Sequence, residues 1–355
     1  MSTDGNAAQI LRVALVTPLV YGVSVSMGAA LPFVSALLFA TFALKMPAPP
    51  PFASVVLLAL LLVVLPLGFS GVSGVLNQYP YLMVGFVGLI LFHAFRLQSV
   101  PRTALIGVLL QTFAIMLPIV TGQSEQASGI LAGAFALNGV VAVAGLYLAF
   151  ALFPAPGAGG SSPPPAPGGD ATARTRSAAV AALVMLPAFT LLLAFELSSA
   201  MRVLFTIAIV LVSLNRRGAR ETGTESVLST IFAGAMALAF SLLYMFWPQP
   251  AGALLVAALL GLLVVPRAFA GPHRSAVALA YPLVWLLLGT AEDGTLAKTL
   301  SWCLYSIVGA LYAVWARALI LAILGWREGD LGGSRSRPAL HTRPFTAAHK
   351  SGCAG

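Results

Sequence analysis

Charge is what this chain has least of. Asp, Glu, Lys and Arg make up only 8% of its 355 residues, against roughly 25% in a soluble domain. Hydrophobic residues make up 59%, more apolar surface than a water-soluble fold of this size can bury, so the solvent must be lipid. In hydrocarbon an unpaired backbone group costs several kcal/mol, which leaves only helices or a closed barrel. Unbroken apolar runs such as ASVVLLALLLVVLPLGF (53–69) lack the alternation of a barrel strand. The expected fold class is therefore an all-α polytopic membrane protein.

Catalytic and metal-binding signals are scarce as well. The two cysteines, Cys303 in an apolar run and Cys353 in the tail, have no metal-ligand spacing and form no disulfide framework. No zinc-protease, nucleophile-elbow or phosphate-loop motif occurs, and no span carries paired carboxylates. Neither an enzyme nor a cofactor or metal is expected. The formal charge of +9 does not point to nucleic acid, because excess Lys and Arg is how cytoplasmic loops of membrane proteins are marked. The N-terminus, with Asp4 and only Arg12 ahead of its apolar run, makes a poor signal peptide and reads as an uncleaved first span.

Apolar runs bounded by charge, Pro or Gly give about twelve segments. Six lie near 10–30, 31–45, 53–70, 80–96, 102–121 and 126–153, and six more near 176–196, 199–215, 226–247, 250–266, 275–291 and 298–325. Between the sets runs PAPGAGGSSPPPAPGGD, whose composition suits a flexible linker. The expected organisation is a first six-helix repeat over 1–153, a cytoplasmic linker over 154–175, a second repeat over 176–326, and a basic disordered tail over 327–355. A cytoplasmic N-terminus puts Arg12, Lys45, Arg96, Arg102, Arg174, Arg176, Arg267, Arg274 and the tail cations inside, and Glu125, Glu196, Glu292 and Asp293 outside. The opposite orientation would reverse nearly every cation.

The halves also match each other. Pro80 corresponds to Pro250, Arg96 to Arg267, Arg102 to Arg274 and Pro18 to Pro187, at offsets of 169 to 172. An even number of spans returns each half to the same side, so the repeats are parallel. In LLLAFELSSAMRVLFTIAIVLV (191–212), Glu196 and Arg202 interrupt the apolar run where Gly28 and Pro32 interrupt the first half. Holding both charges mid-membrane would cost at least ~2.5 kcal/mol each. The chain is thus expected to turn back between them, with both at the outer interface. The returning segments hold about fourteen to seventeen apolar residues, short of the ~20 a span needs. Matched short segments in two halves point to a transporter's binding region.

Within the spans a few polar residues are candidates for contact with substrate. Gln111 and Asn138 lie mid-helix, where an amide ordinarily bonds a neighbouring helix. Arg317 either snorkels to the inner interface or grips a carboxylate, with Tyr312 and Trp315 as a stacking wall. Glu196, Arg202 and His93 are the candidates for ion or proton coupling, Glu196 and Arg202 having an interfacial ion pair as the plainer alternative.

The start ILRVALVTPLV and the short second segment LPFVSALLFATFALK resemble the fusaric-acid-resistance, or aromatic acid exporter, superfamily, and within it the compact DUF2955 branch. The resemblance spans about residues 10–325. It implies a bacterial inner-membrane protein that exports small, often aromatic, carboxylic acids, working alongside a periplasmic membrane-fusion adaptor. Larger relatives carry a cytoplasmic domain where this chain has only its Pro/Gly linker. The expected partners are a small organic anion, membrane lipid, the adaptor and further copies of the chain. A passive anion channel and a non-transporting partner of an envelope complex are the rival readings.

The expected outer turn is directly testable. With Cys303 and Cys353 removed, a cysteine at Ser198 or Ser199 should react with an impermeant thiol reagent applied from the periplasmic side. Reaction only from the cytoplasmic side would overturn both turn and orientation.

Overall fold

The structure, a computed structural model, describes residues 3–46, 49–100, 103–154, 171–197, 200–214, 219–246, 249–269, 274–289 and 295–326. Among these residues twelve α-helices run in order: α1 (Thr3–Ser26), α2 (Phe33–Lys45), α3 (Phe52–Leu76), α4 (Pro80–Gln98), α5 (Ala104–Gln123) and α6 (Glu125–Leu152), then α7 (Ala171–Ala194), α8 (Met201–Leu214), α9 (Ala219–Phe246), α10 (Pro250–Phe269), α11 (Arg274–Gly289) and α12 (Thr295–Leu324). Eight of them contain stretches long and apolar enough to cross a membrane; α2, α8, α9 and α11 carry shorter apolar stretches. Large apolar side chains such as Leu263, Leu311 and Ile323 are more than 60% exposed, a surface suited to lipid and not to water. The protein is an all-α, multi-pass membrane protein.

Element boundaries differ from expectation mainly at polar ends. Helix α7 begins at Ala171, so residues 171–175 belong to it and not to the linker. Helix α9 begins at Ala219, before its apolar stretch Leu228–Leu243. Its hydrophilic first turns can extend beyond the hydrocarbon, where hydropathy gives no signal. Residues 155–170 of the expected linker and the tail 327–355 lie outside the described residues.

Packing repeats with a shift of six helices. In the first half α3 packs on α5 and α6, α4 on α5, α2 on α6, and α1 on α2 and α6. In the second, α9 packs on α11 and α12, α10 on α11, α8 on α12, and α7 on α8 and α12. The halves then embrace reciprocally: α1 packs on α10 of the other half, and α7 on α4. Two apolar cores result. One joins residues of α1, α2, α3, α5 and α6 with Ala233, Tyr281 and Val284; the other joins α7, α8 and α12 with Met83, Val87, Leu91 and Ile115. Each core is thus completed by helices of the opposite half.

Both halves turn in the same way after their first helix. At the end of α1 the amide of Ala29 bonds the carbonyl of Ser24 and that of Gly28 bonds Val25, both at 3.0 Å. At the end of α7, Leu197 bonds Leu192 at 3.0 Å and Glu196 bonds Leu193 at 3.3 Å. This is the Schellman arrangement, which closes a helix with one left-handed residue. Gly28 takes that role at φ +66° and Glu196 at φ +53°. The chain therefore does turn back between Glu196 and Arg202. The returning helices α2 and α8 have 13 and 14 residues, roughly 20 Å against a hydrocarbon core of about 30 Å.

Glycine sets the closest helix approach at α4 and α5. A Cβ on Gly107 would lie 2.6 Å from the Ala94 carbonyl oxygen and 2.9 Å from the Gln98 nitrogen, both backbone atoms. Gly85 has nothing within 4 Å of the same position. We therefore expect Gly107→Ala to destabilise the detergent-solubilised protein by about 1–3 kcal/mol through overpacking. Gly85→Ala should be neutral or slightly stabilising, because Ala is the better helix former. Thermal unfolding of the two variants side by side checks this; equal melting temperatures would contradict the packing described.

Candidate functional site

The two turns are secured by different side chains. Asn138, fully buried on α6, donates from Nδ2 to the carbonyl of Ala30 at 2.9 Å and of Ala134 at 2.8 Å. It fastens the α1–α2 turn to the interior of its own half, and its Oδ1 has no hydrogen-bond partner. In the second half the carbonyl of Glu196 accepts a hydrogen bond from Gln123 at 3.0 Å, while the Glu196 side chain belongs to an exposed residue.

Arg202 departs from the sequence expectation. It stands in the first turn of α8 yet is 7% exposed, and among the described residues it makes no ion pair with Glu196 or any other acid. Its Nη2 donates to Thr230 Oγ1 of α9 at 3.2 Å, and that hydroxyl meets Ser306 of α12 at 3.1 Å. The guanidinium lies 5.2 Å from the ring centroid of Trp302, close enough for a cation–π attraction. Its Nε is buried without a hydrogen-bond partner. The physical reason for the correction is that α8 enters the bundle at once. Backbone of α8 approaches α12 so closely that a Cβ on Gly309 would lie 2.8 Å from the Val203 carbonyl oxygen. The first-turn side chain thereby meets hydroxyls and an aromatic ring instead of headgroups.

The residues placed around Arg317 do not form an aromatic wall. Tyr312 donates its hydroxyl to the Val184 carbonyl of α7 at 3.0 Å, so that group serves helix packing. Trp315 is 65% exposed and faces outward from the bundle. Arg317 is buried at 7% exposure and has contacts of its own. Gln111 accepts a hydrogen bond from Gln98 at 2.5 Å, while its own Nε2 is buried without a partner. His93 is exposed, with the ring of Phe92 beside it. Arg12 is 2% exposed, with Phe150 beneath its guanidinium at 4.3 Å. Nearby, Gln9 donates to the carbonyls of Ala43 and Leu44 at the end of α2.

The group that does converge is Arg202, Thr230, Trp302 and Ser306. Of these, sequence reading named only Arg202 as a candidate. Thr230 and Ser306 were missed, because a lone hydroxyl in a membrane helix normally bonds its own backbone. Only the packing of α8, α9 and α12 reveals that these two face a cation. Chemically the cluster can neutralise and orient an anion; it offers no nucleophile–base pair. Among the described residues no group of three His, Cys, Asp or Glu side chains could hold a metal.

The family model described as "Protein of unknown function (DUF2955)" matches residues 9–149, which lie within α1 to α6. No curated protein and no solved structure matches the chain.

Proposed function

We propose that the protein is a carrier of the bacterial inner membrane that exports small hydrophobic or aromatic carboxylic acids, with both termini in the cytoplasm. The observation that carries this reading is the matched pair of short helices, α2 and α8, each following a Schellman turn and seated inside its half. Helices too short to span, placed equivalently in two repeats, are the usual frame of a binding region near the bilayer midplane. A buried guanidinium on α8 selects for negative charge, and the apolar bundle around it suits an amphipathic acid over a hydrated inorganic ion. The match over residues 9–149 to a family model of unknown function is consistent with the DUF2955-type branch. The cation excess on the side of the termini supports the orientation. A periplasmic adaptor and self-association belong to the same reading.

One observation favours the rival, a passive anion channel: no carboxylate pairs with Arg202 among the described residues, so the cluster offers no carboxyl proton to exchange for its anion. Export and conduction differ in direction and driving force.

Cells expressing the protein, with any adaptor confirmed present, should accumulate less labelled benzoate or a related aromatic acid than cells without it. De-energising the membrane should abolish the difference for a carrier. Equal accumulation across a broad panel of aromatic acids would refute export.

A further inference from the structure

The chemistry around Arg202 goes further than a general preference for anions. We infer that the second half holds one carboxylate-binding site per chain, with the Arg202 guanidinium as its ligand and Trp302, Thr230 and Ser306 as the groups that hold the guanidinium in place. The inference rests on the transport reading for its biological purpose, though not for the binding itself.

Three observations converge on it. The guanidinium is fixed from two sides, by the Thr230 hydroxyl at 3.2 Å and by the Trp302 ring at 5.2 Å. Both partners are neutral, so they orient the charge without cancelling it. A guanidinium carries five N–H donors, and Thr230 engages one; Nε is buried with no acceptor. Unfilled donors on a fixed planar fork match the two oxygens of a carboxylate, which a spherical halide cannot engage in the same paired way. Lastly, Arg202 is the second residue of α8, at the positive end of the helix dipole, where a cation is disfavoured and an anion favoured. A carboxylate would relieve the buried charge and the dipole together.

The site is confined to one half. With the shift of 168 residues that pairs the left-handed Gly28 and Glu196, the counterpart of Arg202 is Val34, an apolar residue. The first half instead fastens its turn with Asn138 on Ala30 at 2.9 Å. A fold with twofold pseudo-symmetry thus carries a buried cation at the start of only one of its two short returning helices.

Titration of the purified full chain in detergent with benzoate tests the inference, read by calorimetry and by tryptophan fluorescence. Saturable binding of one benzoate per chain is expected, with chloride at equal concentration competing poorly. Arg202→Gln should weaken binding at least tenfold, and Arg202→Lys should fail to restore it because a lysine has no planar fork. Thr230→Val combined with Ser306→Ala keeps the charge but frees the fork, and should weaken binding several-fold; it decides the matter if the arginine variants do not fold. Unchanged affinity in that double variant or in Arg202→Gln, two sites per chain, or chloride competing as well as benzoate would overturn the inference. Benzoate bound without any export from cells would sink the transport reading and leave the site standing. Normal export by Arg202→Gln would do the reverse.

Discussion

A guanidinium inside a helix bundle in lipid must be compensated, and in this protein neutral groups do the compensating. Arg202 is held by a threonine hydroxyl and the face of a tryptophan, an arrangement that keeps the positive charge open to an outside partner. A charged side chain on a membrane helix is ordinarily paired with an acid or sent to the headgroups. Here α8 is drawn against α12 at Gly309, and neither escape is open to its first turn. The short helix, its tight seat and the unneutralised cation form one structural unit.

That unit depends on how the halves are built. Each begins with a helix, closes it with one left-handed residue, and returns a helix too short to span. Gly28 adopts the left-handed conformation freely, whereas Glu196 at φ +53° bears the roughly 1–2 kcal/mol that such a conformation costs an L-residue with a side chain. The reciprocal packing of α1 on α10 and α7 on α4 then joins the halves through both cores. The halves also meet where α2 packs on α11, so motion of one half against the other must involve that interface too.

Much of the fold was legible in the sequence because lipid leaves the chain few options. Runs of apolar residues bounded by Pro, Gly and charge located twelve helices to within a few residues, except at the starts of α1, α7 and α9 and the end of α3, which extend five to seven residues further. The turn between Glu196 and Arg202 was legible from the cost of burying both charges. The same argument did not foresee the partners of Arg202, since it weighed the membrane as solvent and could not weigh hydroxyls and an indole on other helices. Tyr312 and Trp315 misled in a related way. Their three-residue spacing sets them on one side of α12, but which part of that side meets α7 and which meets lipid depends on packing, and the structure gives Tyr312 to Val184 and Trp315 to the exterior.

The central claim is that this bundle carries organic anions across the membrane, and counterflow in proteoliposomes tests it most directly. Vesicles containing the purified protein are loaded with unlabelled benzoate and diluted into a trace of labelled benzoate. A carrier produces a transient, protein-dependent accumulation of label above equilibrium, corrected for the passive leak of the neutral acid through protein-free vesicles. The account predicts that overshoot. Uptake indistinguishable from protein-free vesicles would contradict transport altogether, and faster equilibration without overshoot would make the protein a channel.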